Sequence, residues 1–280
     1  MQNVAPETVL SVEHVGVQFG GLVALSELNF DVREGEIVSL IGPNGAGKTT
    51  AFNVMTGFLT PTKGVVTYRG TVLNGLKPHE IADLGLIRTF QRTSVFPNDT
   101  VYDNVLIGLH RQGNVHLAEG ILGLPRARTS ERQQRERAAE LVRWIGLEAR
   151  ANDLAGSLSY GEQRLVGVAL ALAAQPSMLL LDEPVSGMNA SETHTFVQLI
   201  RSIRGRGVTI LLVEHDMPMV MSVSDRIVVL NYGRIIAEGS PETIRSDPAV
   251  IEAYLGQGAK RARLRSPPDR CGSSPVSLRR

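Results

Sequence analysis

Residues 37–57, IVSLIGPNGAGKTTAFNVMTG, constrain the fold of this chain more than any other stretch. The apolar run Ile37–Ile41 reads as a buried strand. It is followed by Gly42-Pro43-Asn44-Gly45-Ala46-Gly47-Lys48-Thr49, and helical spacing begins there with Thr50 next in line. Strand, G-x-x-x-x-G-K-[ST] and helix in that order form a phosphate-binding loop. Glycines let such a loop curl until backbone N–H groups converge on phosphate oxygens. The helix start turns its positive dipole end toward the same oxygens. Lys48 adds a point charge, and the Thr49 hydroxyl is a hard oxygen ligand suited to Mg²⁺.

Other segments end in chemistry-bearing residues. Residues 178–181 are an apolar strand closing on Asp182-Glu183, and adjacent acids at a buried strand end are rarely packing residues. Asp182 can serve a Mg²⁺ shell through water, and Glu183 can take a proton from an attacking water. The apolar run 208–213 leads into Glu214-His215-Asp216, and His215 alone of six histidines stands at the end of a core strand. Three strands finishing at Gly42, at Asp182–Glu183 and at His215 suit a parallel sheet with helical crossovers, where ligands bind at the strand C-terminal ends.

Upstream, residues 9–19 and 24–32 read as antiparallel strands around Gly20-Gly21. Phe19 at their turn is either an aromatic face for adenine or a core aromatic. Further hairpins are expected at 65–73 and 227–238, short helices at 78–84, 241–244 and 248–255, and a strand at 85–90 ending before Gln91. A helix is expected over 102–110 and a polar helix from near Ser130 to Ile145, with 111–129 as a mobile or partner-facing connection. Ser159 precedes a strongly apolar helix with Glu162 three residues on, which is a capping box. The same start, opened by Gly161, is equally a second phosphate site.

The bulk numbers remove other classes. The net charge of +1 is uneven: residues 257–280 carry seven basic residues against Asp269, so the rest of the chain is −5 and offers no electrostatic case for nucleic acid. The single Cys271 allows neither a disulfide framework nor a zinc cluster within one chain and suits a reducing compartment. No signal peptide is legible at the N-terminus, and the longest apolar run, residues 165–174, is too short to span a bilayer. The basic tail reads as disordered, with binding to anionic lipid the less favoured alternative.

Together these motifs resemble the ATP-binding-cassette family over residues 9–256. Gly42 to Thr49 resembles its Walker A motif, Gln91 its Q-loop and LSYGEQ (158–163) its signature. Residues 178–183 resemble Walker B, Ser186 to Asn189 the D-loop, His215 the switch histidine and Phe19 the adenine-stacking aromatic. SLIGPNGAGKTTAFNVMTGF, LIRTFQ, LSYGEQR, LLVEHDM and the ending EAYLG are similar to the ATPase subunits of branched-chain amino acid importers. Tyr160 and Glu162 depart from the broad signature and Asn189 from the usual D-loop Asp, all three in the manner of this subgroup.

The resemblance implies an α/β P-loop NTPase core with an antiparallel β subdomain and an inserted α-helical subdomain at about 92–165. It implies ATP hydrolysis with Mg²⁺ at the cytoplasmic face of the inner membrane, bound peripherally through transmembrane permease subunits and served indirectly by a solute-binding protein. Two cassettes pair head to tail, the second favoured as a related chain. Lys48, Thr49, Gln91 and Asp182 of one serve MgATP, and Ser159, Gly161 and Glu162 of the other close over the γ-phosphate. Glu183 polarises the water, and His215 stabilises the γ-phosphate region. The alternatives are a cassette for lipid or lipopolysaccharide export, a non-transport cassette, or a P-loop kinase, which would have no use for LSYGEQ. The resemblance names no cargo.

Overall fold

Residues 7–89, 95–110 and 125–254 are described by the structure, a computed structural model. Gln91, residues 92–94 and 111–124 of the expected helical insertion, and the basic tail 257–280 with Cys271 lie outside the described residues.

Two sheets organise the chain. The first is antiparallel, in the order β2-β1-β4-β5, and comprises β1 (Thr8–Phe19), β2 (Leu22–Arg33), β4 (Lys63–Tyr68) and β5 (Thr71–Val72). The second has six strands in the order β10-β9-β3-β8-β7-β6. These are β3 (Ile37–Ile41), β6 (Leu86–Arg88), β7 (Met178–Asp182), β8 (Thr209–Val213), β9 (Arg226–Asn231) and β10 (Arg234–Gly239). Strands β6, β7, β8, β3 and β9 run parallel, and β10 turns back antiparallel on β9.

The central strands are buried on both sides, as continuous apolar runs in a parallel sheet require. Their side chains alternate between two cores. Val38, Leu40, Leu180, Leu211 and Val213 face the antiparallel sheet, while Ile37, Ile41, Leu179, Leu181 and Leu212 face a helical layer. That layer contains α3 (Val101–His110), α4 (Pro125–Trp144), α5 (Tyr160–Ala173), α6 (Ala190–Gly205) and α7 (Met217–Val223); α1 (Lys48–Met55) and α2 (Pro78–Asp83) accompany the antiparallel sheet, and α8 (Pro241–Ser246) follows β10. The fold class inferred from the sequence, a P-loop core with an antiparallel β subdomain, is the one observed.

The structure revises one local expectation and extends the reading at two other places. The polar helix begins at Pro125 rather than near Ser130, so 125–129 is helical and not a connection. The 227–238 hairpin is part of the main sheet, because Leu40 pairs in parallel with Val228 and gives β9 a buried place. Helix α6 was not anticipated, although Asn189 and Glu192 form a capping box and Phe196, Leu199, Ile200 and Ile203 supply its apolar stripe.

Candidate nucleotide site

Parallel order brings the C-terminal ends of β3, β8 and β7 to one edge in adjacent positions. The loop between β3 and α1 is built for close approach. At Gly42 φ is +154°, and a Cβ there would lie 2.0 Å from the Leu230 carbonyl oxygen, so only glycine fits. Gly47 caps α1 without a side chain, and no side-chain oxygen takes the first N–H groups of the helix. They are placed to hold an anion. The β9–β10 turn supports the loop from behind, with the Gly233 N–H donating to Ala46 O at 2.8 Å.

Lys48 Nζ donates to Gly42 O at 2.7 Å and to Pro43 O at 3.1 Å, so the ammonium rests on the loop's own carbonyls. Burial holds it below the usual lysine range, and the carboxylates of Glu183 and Asp182 pull the other way. A cleft of about 540 Å³ lies over the loop. Phe19, Leu22, Val23 and Ala24 line one wall, Asn44, Gly45, Ala46, Gly47, Lys48, Thr49 and Thr50 the floor, and Glu183 and Tyr232 the rest. Phe19 is 51% exposed, which removes the core-aromatic reading and leaves its ring available to a flat ligand. Tyr232, 72% exposed at the β9–β10 turn, is a second aromatic on this cleft that sequence reasoning missed. The Asn-Tyr-Gly turn was legible, but its position beside the loop depends on β9 pairing with β3.

Glu183 has φ +45°, a left-handed backbone that costs a non-glycine residue energy and persists where the surroundings impose it. Its N–H donates to Val213 O at 2.9 Å, locking the β7 end to β8. Asp182 is buried, and its Oδ2 accepts from Arg88 Nη2 at 2.6 Å, a partner that sequence reading did not find. Thr49 and Asp182 supply hydroxyl and carboxylate oxygens, a donor set that fits Mg²⁺. His215 follows β8 with an exposed side chain, its backbone N–H donating to Glu214 Oε2 at 2.9 Å.

The signature residues lie outside this cleft, at the start of α5. Here the capping box is present. Ser159 Oγ accepts from the Glu162 N–H at 3.3 Å, and Glu162 Oε2 accepts from the Ser159 N–H at 2.8 Å. A Cβ at Gly161 would stand 2.7 Å from Glu192 Oε1, so the glycine leaves room for the Glu192 carboxylate at the start of α5. Tyr160 is exposed; its hydroxyl accepts from Arg164 Nη2 at 2.5 Å and its ring lies near Gly187. Asn189 caps α6 through Oδ1, which accepts from the N–H groups of Ser191 and Glu192 at 2.9 and 3.0 Å.

Comparison with known proteins agrees with this geometry. The family model described as ABC transporter matches residues 25–186, and one described as branched-chain amino acid ATP-binding cassette transporter matches 234–260. The chain is 46% identical over 252 residues to the high-affinity branched-chain amino acid transport ATP-binding protein LivG of Salmonella typhimurium, covering 90% of this chain and 99% of that one. Among solved structures it is similar to the ADP conformation of an ATP-binding cassette of an ABC transporter, with TM-score 0.78 and 31% identity, covering 89% of this chain and 99% of the other. It is also similar to a dimeric cassette in a post-hydrolysis state bound to ADP and Pi, with TM-score 0.70 and 26% identity, covering 83% and 98%. No described helix is long and apolar enough to cross a membrane. The chain belongs to the ABC transporter family and is one of its ATP-binding cassettes.

Proposed function

We propose that this cassette hydrolyses ATP to drive an importer of branched-chain amino acids, docked on transmembrane permease subunits at the cytoplasmic face of the inner membrane. The observation that carries this reading is the likeness to LivG across 90% of the chain, joined to the importer-specific match at 234–260. In this reading Phe19 and Tyr232 face the adenine. The N–H groups of residues 44, 45 and 47–50 and the Lys48 ammonium hold the phosphates, and Lys48 exchanges its loop carbonyls for them. Thr49 and Asp182 would hold Mg²⁺, which would supply neutralisation of phosphate charge. Gln91 completes that set from outside the described residues.

Glu183 orients and deprotonates the attacking water, and His215 faces the γ-phosphate. Ser159, Gly161 and Glu162 lie away from their own chain's cleft, which supports a head-to-tail pair in which they close over the nucleotide of the second cassette. A related chain is the preferred second cassette. An apolar groove of about 480 Å³ between the sheet edge and α5, lined in part by Phe58, Ile87, Leu170 and Ala171, adjoins the strand that leads to Gln91. It supports permease docking there. The solute-binding protein acts only through the permease.

The test is ATP-dependent uptake in vesicles by the assembled complex. Leucine, isoleucine or valine should be carried and should stimulate ATP turnover in the presence of the binding protein. Export of lipid without amino acid uptake would overturn the assignment.

A further inference from the structure

Glu214 is wholly buried at the end of β8. A carboxylate there is costly unless its oxygens are met, and both are. Oε1 accepts from the Val185 N–H at 2.9 Å, and Oε2 accepts from the His215 N–H at 2.9 Å and the Asp216 N–H at 3.4 Å. One side chain therefore ties together the loops that follow β7 and β8. The first of these loops runs from Glu183 to Asn189 and ends in the cap of α6. The first turn of that helix reaches the signature, because Glu192 Oε2 accepts from the Asn189 N–H at 2.9 Å while its Oε1 lies 3.5 Å from Ser159 Oγ. A path thus leads from the His215 backbone through the buried Glu214 and Val185 to Asn189, Glu192 and Ser159 at the surface.

We infer that Glu214 is a positioning residue that couples His215, which follows β8 at the sheet edge where β3 and β7 also end, to the 185–192 segment and so to Ser159, the serine offered to the other cassette. An apolar side chain at this buried site would fill space at lower cost but could not hold two loops in one register. Displacement of His215 by a γ-phosphate is carried to Val185 because both N–H groups share one rigid carboxylate. The inference rests on the role given to His215 under the proposed function.

The test, run with the second cassette at equal concentration, compares the full chain with Glu214→Gln, Glu214→Asp, His215→Ala and the Glu214→Gln/His215→Ala double variant. A glutamine has one acceptor oxygen, so it can serve Val185 or the His215–Asp216 pair but sets an N–H₂ donor against the other. Turnover in Glu214→Gln should fall about tenfold, with the KM for ATP within about twofold of the parent, and amide exchange at Val185 or His215 should rise about tenfold. The double variant should lose no more turnover than His215→Ala alone, the mark of a shared pathway. Glu214→Asp keeps the charge but draws it back by one methylene, so it should show the same loss of turnover even where the glutamine variant folds poorly.

Unchanged turnover and exchange in both Glu214 variants beside an impaired His215→Ala overturn the coupling alone. Fully additive losses in the double variant also overturn it. Parental turnover in His215→Ala instead contradicts the role of the histidine.

Discussion

Arg88 Nη2 lies 2.6 Å from Asp182 Oδ2, and the two side chains are only 8% and 6% exposed. The same guanidinium donates to Asn53 Oδ1 at 2.7 Å and stands 5.5 Å from the centre of the Phe52 ring. Strand β6, the Asp182 end of β7 and helix α1 are therefore joined at one cation. Arg88→Ala would leave a buried carboxylate without its charge partner, at a cost of about 3–5 kcal/mol in denaturant unfolding. Arg88→Lys keeps charge but loses the planar fork that reaches Asp182 and Asn53 together, and should recover only part of that loss. Equal stability of Arg88→Ala and the parent would show that the ion pair has no such role.

Lys48 is held in a partly buried position that disfavours its charge. Lys48→Ala removes the charge-assisted bonds to phosphate and should weaken ATP binding by about 100-fold. Burial disfavours the ammonium while its bonds to Gly42 O and Pro43 O favour it, so the variant should melt within a few degrees of the parent. Equilibrium binding of a fluorescent ATP analogue and a thermal melt check both halves. Unchanged affinity would remove Lys48 from the phosphate site.

The loop and the acidic strand end were legible because their spacing is local. Gly42 to Thr49 stand in one unbroken run, and Asp182 and Glu183 close an apolar strand. Partners across strands were not. Arg88 is one charged residue at the end of a short strand, and its link to Asp182 follows only from β6 lying beside β7. Tyr232 and Glu214 were equally opaque, one brought to the loop by β9 pairing with β3, the other buried where the loops after β7 and β8 meet. At Ser159 the pattern gave two readings. The capping box is present, and an N-cap does not stop the same helix start from facing a second cassette's phosphate.

Glu183, on its left-handed backbone beside the loop, is the residue placed to act on water. Glu183→Gln keeps the shape and removes the base. Turnover should fall roughly 10²- to 10⁴-fold while ATP still binds. Single-turnover hydrolysis together with equilibrium binding distinguishes this from lost affinity, and turnover near the parental rate would reject Glu183 as the base.

Burial raises the Glu214 carboxyl above the ordinary 4.5, against the backbone N–H bonds from Val185, His215 and Asp216 and the charge of His215, which lower it. A carboxyl with a raised folded-state pKa contributes stability below its unfolded value and loses it as pH rises through the folded value. The melting temperature of Glu214→Gln relative to the parent should therefore increase from pH 4.5 upward. A difference that is flat or falling with pH would contradict a carboxyl strained by burial.

The central claim is that each nucleotide is enclosed by two cassettes, since Ser159 and Gly161 stand outside the cleft that holds Lys48 and Glu183. The most direct measurement is ATP turnover per molecule as the chain, with its second cassette at equal concentration, is diluted through the range where sedimentation shows pairs giving way to monomers. Turnover should fall in step with the paired fraction and vanish with it; constant turnover from strictly monomeric protein would contradict the account.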